Sequence, residues 1–158
     1  MYAKTALPQS LEAKEAIDEL VAKFFAAFAA DQNGRVDLAA LYPLFINGAS
    51  IIKGCGESAT VYDLQGFIAP RQALLNGPDL FDFNEHEVFE RTEIFGNIAQ
   101  RFSLYHKSGI AHGERFEGQG IKAMQFSKTA EGWKIVSLIW NDESEALPIS
   151  SVYRHGSW

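Results

Sequence analysis

The sequence predicts an α+β fold: a curved antiparallel sheet with N-terminal helices packed on one of its faces. Two observations carry this. The first half of the chain shows apolar residues at helical spacing. The second half, from Asp82 to Glu143, reads as long alternating strands separated by turn signals. Helices first and antiparallel strands last is the order in which helices gather on one side of a sheet.

In chain order, Ser10 is read as an N-cap, with Glu12 and Glu15 in the first turns where the helix dipole favours negative charge. Ile17, Leu20, Val21, Phe24 and Phe28 form one stripe, and Asn33-Gly34 stops the helix. A shorter helix starts near Asp37, with Leu38, Leu41, Leu44 and Phe45 inward and Pro43 limiting its length. Ala49 to Lys53 and Ala59 to Tyr62 are short strands. A third helix spans Phe67 to Leu75, with Pro70 in its first turn and Asn76-Gly77-Pro78 at its end.

Two hairpins follow. Asn84 to Phe95 and Ile98 to His106 flank Gly96-Asn97, a two-residue link suited to positive φ. That turn pairs Phe95 with Ile98, Glu93 with Gln100, Arg91 with Phe102 and Phe89 with Leu104. Alternation then sorts the side chains. One face carries Phe89, Arg91, Glu93, Phe95, Ile98, Gln100, Phe102 and Leu104. The other carries Val88, Glu90, Thr92, Ile94, Ala99, Arg101, Ser103 and Tyr105. After a loop at 107–114 come strands Phe116 to Ser127 and Trp133 to Asn141, joined by a polar turn. Gly118 and Gly120 inside the first of these imply a bulge or a bend.

Composition bounds the rest. At 158 residues the chain is read as a single domain, residues 1–158, with its core at about 11–143 and loose ends on either side. Twelve Phe favour a roomy, aromatic interior. The net charge of −6, with no cluster of Lys and Arg, argues against nucleic acid or an anionic membrane as partner. The single Cys55 excludes an internal disulfide and fits a reducing compartment. No signal peptide and no apolar run of roughly 18 residues are present, so a cytoplasmic location is expected.

The element order, the small-residue strand Ile98 to Tyr105 and the closing strand Gly132-Trp133-Lys134-Ile135-Val136 resemble the NTF2-like superfamily. That group holds nuclear transport factor 2, ketosteroid isomerase and the SnoaL-like polyketide cyclases. The likeness covers roughly Leu11 to Glu143. It implies a cone-shaped fold with the helices on the concave face of the sheet, a pocket between sheet and helices, and a homodimer through the outer sheet face. It does not imply a reaction. Where catalytic members carry His-x-Ser after the last Trp, this chain reads Ile139-Trp140-Asn141-Asp142.

The resemblance puts Ala99 and Tyr105 at inward positions, which makes their face the candidate pocket wall. Arg101 lies diagonally near Glu90 and is read as a holder of a ligand carboxylate. Glu90, if desolvated, becomes a general base, and Tyr105 a donor to a developing enolate. These three are the catalytic candidates. Thr92, Ser103, Tyr62, Arg71 and Trp140 are the ligand-binding candidates. The plainer alternative is that Arg101 and Glu90 are an ordinary cross-strand charge pair, and that Arg71 pairs with Asp63.

His86, His106, His112 and His155 lack metal spacing, and no cofactor is expected. Gly54-Cys55-Gly56-Glu57-Ser58-Ala59 fits a dinucleotide pattern but precedes a strand rather than a helix. Two function classes remain: a domain for a small apolar molecule, as an isomerase, dehydratase or cyclase acting by proton transfer, and a non-catalytic dimerisation or protein-interaction module. A variant of the second makes the Arg101 face itself the dimer interface.

Overall fold

The structure, a computed structural model, describes residues 8–154. Helix α1 (Pro8–Ala26) begins two residues before the expected Ser10 cap. Its stripe is buried as the spacing requires: Ile17, Leu20, Val21 and Phe24, joined by Phe25; the helix ends at Ala26, short of the expected Asn33-Gly34 stop, and Phe28 is buried from the turn that follows. The Asp37 cap accepts from the Ala39 amide and opens a 3-10 turn, Leu38–Leu44, that buries Leu38, Leu41 and Leu44. Helix α2 (Leu64–Leu75) starts three residues earlier than the sequence suggests, because Asp63 caps it by accepting from the Gly66 amide. Pro70 therefore stands in the body of α2 and not in its first turn. Residue i−4 to Pro70 is Gly66, whose carbonyl has no amide to accept from there. Gln72 of α2 and its C-cap Asn76 hydrogen-bond the backbone of Val36 and Leu38, which ties the start of the 3-10 turn to the end of α2.

Six strands form one sheet: β1 (Phe45–Lys53), β2 (Thr60–Tyr62), β3 (Leu80–Phe95), β4 (Ile98–Ala111), β5 (Glu114–Thr129) and β6 (Gly132–Asp142). Their order is β2-β1-β6-β5-β4-β3. The sheet is mixed and not purely antiparallel, because β1 runs parallel to β6. It curves without closing, and α1 and α2 pack on its concave side. Buried Ile51, Met124, Phe126, Ile135 and Leu138 meet the helical stripe there.

The Gly96-Asn97 turn forms with Gly96 at φ +57°, and the four expected β3–β4 pairs are all present. The pairing differs beyond Phe89. Glu87 pairs with Tyr105 and Phe89 with Leu104, so Val88 is an extra residue in β3. This bulge reverses the alternation. Val88 is exposed, and Glu87 and Glu85 join Glu90, Thr92 and Ile94 on the concave side.

The loop expected at 107–114 is also absent. β4 and β5 run on to a tight turn, His112-Gly113, where both residues have positive φ. No register shift falls at the glycines; the β5–β6 bulge lies in β6, where Val136 is the extra residue between Ser137, opposite Gln125, and Ile135, opposite Phe126. The segment after Glu145, expected to be loose, lies on the outer sheet face as far as 154. There the Tyr153 ring sits 6.2 Å from that of Phe102, and Arg154 donates to Gln119. Residues 1–7 and 155–158, including His155, lie outside the described residues.

Candidate functional site

A cavity of about 270 Å³ opens between α1, α2 and the concave face. Phe24 comes from α1, Phe28 from the turn after it, and Phe67 and Arg71 from α2. The sheet supplies Lys53, Glu85, Tyr105, Lys107, Lys122, Leu138, Trp140 and Asp142.

Its polar wall follows from strand register. Tyr105 of β4, Gly120 of β5 and Asp142 of β6 lie side by side across three strands. A Cβ on Gly120 would stand 2.0 Å from the Tyr105 hydroxyl oxygen and 2.7 Å from the Asn141 carbonyl oxygen. The missing side chain lets the phenol lie flat over β5 and donate to Asp142 Oδ1. One row along, Lys107 passes over Gly118, whose added Cβ would meet its side chain at 3.3 Å. Lys107 reaches Asp142 Oδ2 at 3.0 Å. The two glycines are thus clearance for two side chains that converge on one carboxylate.

Burial pushes the Asp142 carboxyl up, but the Tyr105 and Lys107 bonds outweigh it and hold it below the usual carboxylate range. Burial, and the bond to Asp142, push the Tyr105 phenol far up, so it stays neutral. Deeper in, Lys122 pairs with Glu85 at 2.8 Å, both side chains 8% exposed. Its ammonium sits 3.9 Å from the centre of the Tyr105 ring, a cation on an aromatic face. At the α2 side the Arg71 guanidinium lies 4.0 Å from the Phe67 ring centre, 5.1 Å from Tyr62 and 5.4 Å from Trp140.

Of the residues the sequence singles out, Tyr105, Arg71 and Trp140 line this cavity, and Tyr62 packs on Phe67 behind it. Arg101, Ser103, Thr92 and Glu90 share the concave face but stand apart from the cavity, under α1. There Arg101, 3% exposed, forks onto Glu87 through Nε at 3.0 Å and through Nη2. Its Nη1 reaches Asp18 at 2.7 Å, and Ser103 donates to Glu87 at 2.6 Å. Lys14 closes the network on Asp18 at 2.7 Å and Glu90 at 2.8 Å.

Burial raises the Glu90 carboxyl, yet the bonds from Lys14 and Thr92 hold it below the usual range. Asp18 is likewise held low by Lys14 and Arg101 against its burial. Arg71 does not pair with Asp63, whose carboxylate caps α2.

Sequence reasoning missed Glu87, Glu85, Lys107 and Lys122. The one available signal was His112-Gly113. Read as a two-residue turn, it sets Ala111 opposite Glu114 and hence Tyr105 opposite Gly120. His86 and His106 face each other with ring centres 5.3 Å apart. Among the described residues no three His, Cys, Asp or Glu side chains group as a metal site. No helix among them is long and apolar enough to cross a membrane.

An open α+β cone holding a cavity between its helices and its concave face defines the class. The chain has the NTF2-like fold, and solved structures of that kind match it over most of their length. An NTF2-like superfamily protein from Salmonella enterica serovar Typhimurium aligns with a TM-score of 0.68 at 16% identity, covering 86% of this chain and 94% of its own. A candidate ketosteroid isomerase from Shewanella frigidimarina gives 0.59 at 22%, covering 80% and 94%. A candidate calcium/calmodulin-dependent protein kinase II association domain from Xanthomonas campestris gives 0.65 at 15%, covering 91% and 96%. No family model matches the sequence, and no curated protein matches it.

Proposed function

We propose that this chain is a small-molecule-binding domain whose ligand lies in the cavity between α1, α2 and the concave face. The observation that supports this best is the convergence of Tyr105 and Lys107 on Asp142, through two glycines that leave room for nothing larger. Polar groups held at one end of an otherwise apolar cavity are the usual form of a ligand site. The cavity, about 270 Å³, falls just below the roughly 300–1,000 Å³ range of ligand pockets. That size favours a small ligand over a polycyclic one.

In this reading Asp142 is an acceptor and a weak base, because its partners keep it ionised. A general base works best with a pKa near the operating pH, so the arrangement favours holding a ligand over abstracting its proton. Arg101 and Glu90 serve to fasten α1 to the sheet, with Thr92 and Ser103 in the same network, and leave the chemistry of the cavity to Tyr105. The test is a library of small organic compounds, read by melting temperature and by the assigned Trp140 indole resonance. A binder at a hundredfold excess over its Kd adds about 2.7 kcal/mol of stability. A library in which no compound moves the Trp140 resonance would sink this reading.

A second reading has its own observation. The outer sheet face exposes Phe95 at 84%, Ile98 at 61%, and Phe102 and Ile139 at 41% each. Such a patch marks an interaction surface, and self-association through it as a homodimer is compatible with the first reading. Light scattering on Ile98→Arg decides it: a dimeric parent and a monomeric variant support it, and identical masses remove it.

A further inference from the structure

The cavity lining carries more positive charge than its own carboxylates neutralise. Four cations, Lys53, Arg71, Lys107 and Lys122, face two carboxylates, Glu85 and Asp142. Lys107 is taken by Asp142 and Lys122 by Glu85. Neither Arg71 nor Lys53 forms an ion pair among the described residues, although the whole chain has a net charge of −6. Lys53, at the end of β1, is exposed and water can solvate it. Arg71 is half-buried and clamped between rings.

A guanidinium has five N–H donors. Arg71 spends one on the Phe67 carbonyl oxygen, at 3.1 Å from Nη1. Stacking on Phe67 fixes its plane, so little side-chain freedom is left to lose on binding. A planar fork of free donors matches a carboxylate by two parallel hydrogen bonds. Phe24, Phe28 and Leu138 add apolar contact to the lining.

We infer that the ligand of this cavity is a small monocarboxylic acid. Its carboxylate lies on Arg71, and its flat or aliphatic body lies against Phe24, Phe28 and Leu138. This rests on the cavity being the ligand site. One half-buried cation with one free fork selects a single carboxylate, and the cavity volume limits the body behind it.

The experiment compares phenylacetate and hexanoate with phenylacetamide and hexanamide, pairs that differ in charge and hardly in shape. Kd is measured by calorimetry, and the Trp140 indole resonance reports where each binds. The acids are expected to bind about tenfold tighter than their amides. Arg71→Gln should erase that preference while the amides bind as before, and Arg71→Lys should keep part of it. Melting curves establish that each variant is folded.

Amides that bind as tightly as acids, with Trp140 shifted, would overturn the inference and leave the cavity as the site. If neither class shifts Trp140, the cavity reading falls and the inference with it. An acid preference that survives Arg71→Gln but not Lys53→Gln overturns Arg71 as the anchor.

Discussion

Gly120→Ala is the sharpest perturbation of the cavity wall. The added methyl would stand 2.0 Å from the Tyr105 hydroxyl, 2.3 Å from its ring carbon Cζ and 2.7 Å from the Asn141 carbonyl. The phenol can swing away, but the Asn141 backbone belongs to β6 and cannot follow. Swinging breaks the Tyr105 bond to Asp142, a hydrogen bond to a charged group that contributes about 1.5–3 kcal/mol. Overpacking against backbone adds about 1–3 kcal/mol. The two overlap, since the swing relieves part of the clash, so the expected loss is about 3 kcal/mol. For a chain of this size that lowers the melting temperature by about 6–12 °C.

The assay is urea denaturation followed by circular dichroism, on Gly120→Ala, Tyr105→Phe and the double variant. Because both changes remove the same hydrogen bond, the double variant should lose clearly less than the two singles together. A Gly120→Ala protein within about 0.5 kcal/mol of the parent, or strictly additive losses, would refute the clearance argument.

Three further outcomes are expected. Arg101→Met should cost about 3 kcal/mol, because Glu87 and Asp18 lose their shared cation under α1; Arg101→Lys should restore only part of it in denaturation, since a single ammonium cannot make the two-pronged contact. Asp18, Glu90 and Asp142 are all held below their ordinary range in the fold. Their stabilisation is therefore present above an unfolded value of about 4 and is lost as pH falls through the lowered native values; an Asp142→Asn protein should show a shallower acid limb in pH-dependent melting, and an unchanged limb would count against the Asp142 assignment. Deleting Val88 should cost little more than a Val88→Ala control, because without the extra residue Glu87 and Phe89 pair with Tyr105 and Leu104 in plain alternation and every side chain keeps its face; a drop in melting temperature several times that of the control would show that the bend of the bulge is itself required.

Much of the fold was legible because it is written in local chemistry. The α1 stripe from Ile17 to Phe24 needs only helical spacing to mark its buried side. Gly96-Asn97 sets the β3–β4 register as far as Phe89, since a two-residue turn admits one pairing. That register was enough to bring Arg101, Ser103 and Tyr105 to one face. It could not carry Glu87 there, because the Val88 bulge changes the phase without any residue type that announces it. The β5 glycines were visible, but with His112-Gly113 taken for part of a long loop they had no partner. Their meaning, room for Tyr105 and Lys107, depends on what lies opposite.

What the sequence alone determined is therefore the set of elements, their order and the inward stripe of each, all of which follow from the preferences of neighbouring residues. The tertiary structure decided the rest: the parallel pairing of β1 with β6, the bulges at Val88 and Val136, and the meeting of Tyr105, Lys107 and Asp142 at one cavity. Past the Val88 bulge, the half-buried Glu87 meets the Arg101 guanidinium of the neighbouring strand. Energies of that kind arise between residues far apart in the chain, and no local pattern records them.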